Sequence, residues 1–133
     1  MLVTLTFDDT LRAFTARTEP ATLRTAADVA AWGHELEAAV ERAGARASTV
    51  LVDLDGLEVE MAVKEAFGEL CRTRLLAAAA ALRFVGRGDG FTTTVLWLES
   101  VKGPASLRPL RATEVRAELA RLRRKPPAPA AVG

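Results

Sequence analysis

The chain is expected to fold as a small α/β domain, with a mixed sheet of four to five strands and helices packed on it. Two observations carry this. Ser48 to Leu54 is a short valine- and leucine-rich run with the composition of a strand buried on both faces. Patterns with helical spacing flank it on either side, the arrangement that alternates strand and helix around a partly parallel sheet. The run stops on Asp53-Leu54-Asp55-Gly56, where the Asp55-Gly56 pair suits a turn because glycine accepts backbone angles other residues resist.

In chain order, Val3, Leu5 and Phe7 alternate with Thr4 and Thr6, the period of a half-buried strand. Asp8-Asp9 is expected to turn the chain into a second strand over Thr10 to Ala16, and Glu19-Pro20 to end it. Thr25 with Asp28 has the form of a capping box. Val29, Trp32, Leu36, Ala39, Val40 and Ala43 then share one helical face, and Gly44 terminates the helix. After Gly56 a second helix is expected from about Glu60 to about Ala81. Val63, Phe67, Leu70, Cys71, Arg74, Leu75 and Ala78 form its inner stripe, with Glu60 and Lys64 an i,i+4 pair. Arg83-Phe84-Val85 reads as a short strand, Gly86 to Gly90 as a loop, and Phe91 to Glu99 as a strand. Lys102-Gly103-Pro104 breaks the pattern, and Thr113 is expected to cap a last helix with Val115, Leu119 and Leu122 inward. One domain over 1–122 and a disordered Pro/Ala-rich tail over 123–133 complete the expected organisation.

Composition narrows the function classes. With 133 residues, half apolar and 26% charged, the chain is long enough for a real core. A net charge of +1 gives no global field favouring nucleic acid or an anionic membrane, and no partner of either kind is expected. A single cysteine, Cys71, cannot form an internal disulfide, and no charged-then-apolar leader opens the sequence; both fit a cytoplasmic protein. The longest soft apolar stretch, Leu75 to Leu82, is too short to span a bilayer. One cysteine and one histidine cannot make a zinc site, and no metal or cofactor is expected. His34 reads as a solvent-facing helix residue and Cys71 as a buried, inert thiol. Gly86 to Gly90 matches no phosphate-loop spacing, and the basic cluster Arg121, Arg123, Arg124 and Lys125 lacks interleaved aromatics, so it reads as a solvated helix end.

Two resemblances meet at Leu51 to Gly56. Asp53 and Asp55 after a buried strand resemble the first motif of haloacid-dehalogenase-type phosphatases, which implies Asp53 as nucleophile and Asp55 as acid/base beside a magnesium ion. Leu57 stands where that motif has threonine, and no later acidic pair completes a metal site. Val50 to Leu57, followed by a helix from Glu60, resembles the STAS family of anti-sigma-factor antagonists and sulfate-transporter tails. This resemblance implies a non-enzymatic, bacterial regulatory or scaffolding protein that works through protein–protein contact, with a kinase-like or other regulatory protein as partner. The chain departs from the antagonists where their switch hydroxyl stands, carrying Met61-Ala62-Val63-Lys64 there. The expected contact surface is the rim at the strand end, Asp55, Glu58, Glu60 and Lys64, with Phe67 near its edge. A metal-dependent phosphatase-like enzyme using Asp53 and Asp55 and a small-ligand-binding domain stay open as alternatives, as does homodimerisation.

Overall fold

The computed structural model describes residues 3–86 and 104–124. Among the described residues five strands form the main sheet, in the order β1 (Val3–Asp8), β2 (Ala13–Thr18), β4 (Thr49–Asp53), β6 (Ala81–Gly86), β7 (Leu110–Arg111). A second, two-stranded sheet pairs β3 (Ala21–Leu23) with β5 (Leu57–Val59). Among the described residues the helices are α1 (Ala26–Arg42), α2 (Lys64–Thr73) and α3 (Val115–Arg124). This is the expected α/β class with a mixed sheet: β1 and β2 are antiparallel, and β2, β4, β6 and β7 run parallel. The expected strand over Phe91 to Glu99 and most of the Gly86 to Gly90 loop lie outside the described residues, as does the tail beyond Arg124.

The central position of β4 follows from its composition. Val50 and Val52 point into one core and Leu51 into another, and all three are buried. In the larger core these valines meet Trp32 and Leu36 of α1, Phe67 and Cys71 of α2, and Leu82 and Phe84 of β6. The smaller core joins Leu51, Val85 and Ala13 to Val115 and Leu119 of α3. Helices α1 and α2 thus share one face of the sheet, as successive parallel crossovers of one hand require, and α3 lies on the other.

Helix α1 starts where the sequence places it. Thr25 Oγ1 accepts the Asp28 N–H at 3.1 Å, and the Asp28 carboxylate accepts from Arg24 and Thr25 N–H at 2.9 and 3.1 Å. Those backbone donors hold the Asp28 carboxyl below its ordinary value. Gly44, at φ +65°, closes the helix. Ala43 is exposed, and Ala45 takes the buried place beyond it.

Several boundaries move from their expected places. The first hairpin has a longer loop, and β2 begins at Ala13 rather than Thr10. Asp8 accounts for this: its carboxylate accepts the Leu11 N–H at 3.0 Å, its carbonyl accepts the Arg12 N–H at 2.7 Å, and Arg12 takes the left-handed φ of 57° that glycine would otherwise supply. The second helix is much shorter than expected. Met61–Val63 is a 3-10 turn, α2 ends at Thr73, and Leu75–Ala77 is another 3-10 turn. Ala81 must pair with Thr49 to start β6, so sheet pairing overrides the helical preference of the alanine run. Arg74 consequently leaves the inner stripe and pairs with Glu37 at 2.5 Å. Thr113 is not the cap of the last helix: it sits inside a 3-10 turn, Ala112–Glu114, and Glu114 accepts the Arg111 N–H at 2.9 Å. Arg123 and Arg124 belong to α3 rather than to the tail.

Candidate functional site

Strands β2, β4 and β6 bring their carboxyl ends to one edge of the sheet, and the rim is built there. Asp53, the last residue of β4, is only 7% exposed. One of its carboxylate oxygens accepts the Asp55 N–H at 2.9 Å, fixing the turn, and the other lies 3.6 Å from Arg17 Nε on the neighbouring strand. Pairing then continues past β4, with the Leu54 N–H on the Val85 carbonyl at 2.9 Å. Gly56 closes the turn at φ +84°, the left-handed conformation a side chain would strain, and its carbonyl accepts the Ala21 N–H at 2.9 Å.

Beyond Gly56 the β3–β5 ribbon raises the rim. Leu57 and Val59 are buried and Glu58 between them is exposed, a three-residue alternation. The Thr22 hydroxyl meets Glu58 at 3.5 Å, and Arg24 Nε lies 3.2 Å from Glu60 Oε1. Glu60 accordingly pairs with Arg24 across the ribbon. The expected i,i+4 geometry with Lys64 does not arise, because Glu60 lies before the 3-10 turn and outside α2. Lys64 is exposed at the first position of α2, and Asp55 is half-buried. Asp55 thus stands in the turn after β4, Glu58 on β5, Glu60 just beyond it and Lys64 at the start of α2.

Phe67 is not at the edge of this surface. It is fully buried against Trp32, with ring centroids 5.4 Å apart. The large apolar side chain that does stand on the rim is Met61, 68% exposed and flanked by Glu60 and Lys64. Met61 falls inside the helical run expected from Glu60, and the 3-10 turn Met61–Val63 stands in its place. The β3–β5 ribbon is not among the expected elements, although Leu57-Glu58-Val59 has the alternation of a short strand. His34 is exposed and Cys71 buried, with burial pushing the thiol far above its ordinary value.

Among the described residues no cluster of three or more histidines, cysteines or carboxylates could hold a metal ion. No described helix is long and apolar enough to cross a membrane. The chain matches no family model, no curated protein and no solved structure.

Proposed function

We propose that the chain is a non-enzymatic regulatory or scaffolding protein, STAS-like in type and cytoplasmic, that docks a kinase-like or other regulatory protein on the strand-end rim. The observation that carries this reading is Met61. A large thioether side chain exposed by 68%, next in the chain to Glu60 and within three residues of Glu58 and Lys64, gives the rim an apolar anchor among charged residues, the pattern of a protein contact centre. Arg24 already offsets part of the acidic charge through Glu60, so contact area at Met61 supplies affinity while Glu58 and Lys64 select the partner. No hydroxyl occupies Met61 to Lys64, and association on this surface is governed without phosphorylation there.

Affinity capture from the source cells, with partners identified by mass spectrometry, tests the proposal. A defined regulatory protein is expected with the parent chain, and its recovery is expected to fall sharply with Met61→Asp and with Glu58→Lys. Undiminished recovery with both variants would refute the rim as the contact. Magnesium-dependent hydrolysis of a phosphoester that vanished in Asp53→Asn would replace the reading with an enzymatic one.

A further inference from the structure

On the other face of the sheet, α3 and the turn entering β7 enclose a groove of about 870 Å³. Among the described residues four arginines line it, Arg83, Arg108, Arg121 and Arg124, against two glutamates, Glu114 and Glu118. Glu118 is held between Arg83 Nε at 2.8 Å and Arg121 Nε at 2.7 Å, and Arg108 lies 3.2 Å from Glu114. The groove's own side chains thus show that its guanidinium groups take carboxylates, whose planar geometry matches the guanidinium fork. Among the described lining residues two positive charges remain in excess, and Arg124 makes no ion pair with any described residue.

The arrangement of these cations is linear. Ala117, Arg121 and Arg124 follow one another along one side of α3 at helical spacing, and Leu110 adds an apolar wall. From Thr113 to Arg124 the 3-10 turn and α3, at about 2.0 and 1.5 Å per residue, give a length of about 17 Å. An extended chain rises about 3.3 Å per residue, so roughly five residues span that distance. A row of separated guanidinium groups fits spaced carboxylates better than the compact charge of a single phosphate. We infer that this groove binds an extended acidic segment of a partner protein, about five residues long, with its carboxylates on Arg108, Arg121 and Arg124. Glu118 keeps Arg83 and Arg121 oriented, while the exposed Arg108–Glu114 pair is weak enough to open for an incoming acid.

The test is fluorescence anisotropy of a fluorescein-labelled pentaglutamate peptide titrated with the full chain at low salt. Arg108→Glu/Arg124→Glu is compared with Arg116→Glu, which removes the same kind of charge from the side of α3 facing Thr10 and Leu11. Saturable binding weakened about tenfold or more in the double variant, and within twofold of the parent in Arg116→Glu, is the expected result. Circular dichroism shows whether each variant is folded, and Arg108→Gln/Arg124→Gln serves if the reversals do not fold. Absence of peptide binding by the parent chain, or equal weakening by Arg116→Glu, would overturn the inference. Binding of inorganic pyrophosphate at these arginines without binding of the peptide would also overturn it, in favour of a phosphate ligand. The groove is separate from the rim, so neither result bears on the function proposed there.

Discussion

Replacing Thr18 by valine isolates one buried hydrogen bond. Trp32 is fully buried on α1, and its indole Nε1–H donates to Thr18 Oγ1, at the end of β2, at 2.9 Å. Valine keeps the shape of threonine but cannot accept, so the substitution leaves an indole donor buried without a partner. Such a group costs about 1–3 kcal/mol. For a chain of this length each kcal/mol lowers the melting temperature by about 3–5 °C, so the expected fall is roughly 3–15 °C. Thermal and urea unfolding followed by circular dichroism give both values. Trp32→Phe removes the donor but also leaves a void, and alone it is destabilising for a different reason. In the double variant the two costs should overlap, with a coupling of about 1 kcal/mol between the positions. A Thr18→Val protein within about 0.5 kcal/mol of the parent would show that the bond does not tie α1 to β2.

Glu118 provides a pH signature: its hydrogen bonds from Arg121 and Arg83 lower its pKa from 4.5 to about 2. A carboxyl with a depressed native pKa contributes stability that is full above its unfolded value and is lost as pH falls towards its folded value. Stability attributable to Glu118 should therefore decline between pH 4.5 and about 2, and Glu118→Gln should flatten that part of a urea-unfolding pH series. Gly56→Ala is expected to cost about 1–2 kcal/mol of unfolding free energy, because φ is +84° there. No added-Cβ contact is closer than 3.7 Å, so the cost is conformational rather than a clash. Cys71 should resist a thiol reagent in the native state and react at the rate of unfolding, since it is fully buried with its thiolate disfavoured. Rapid native labelling would show that α2 opens locally.

Where local pattern and tertiary demand agree, the fold was legible in the residues. Val50 to Val52 read as a strand buried on both faces, and a sheet with helices on both sides requires such a strand at its centre. Thr25 and Asp28 form their cap from four consecutive residues, so no distant contact was needed to foresee it. The class of the fold and the start of α1 are therefore properties of the sequence alone. The end of α2 is not. Ala77 to Ala81 favours helix locally, and only the pairing of Ala81 with Thr49, far apart in sequence, ends that preference. The β3–β5 ribbon depends on the same kind of long-range pairing, with three residues on each side.

The rim and the groove divide in the same way. That carboxylates would gather beyond Asp53 was plain from their proximity in the chain. Arg24 beside Glu60, Met61 turned outward and Phe67 turned inward were decided by how the ribbon and α2 pack. Arg83 and Arg121 stand 38 positions apart in sequence, and they meet at Glu118 only because α3 crosses the face of the sheet opposite α1. The sequence by itself determined the fold class, the central strand β4, the capped start of α1 and the closeness of the acids that follow β4. Tertiary structure decided which charges are paired and which apolar side chain is left in water, because those outcomes depend on distances between residues remote in the chain.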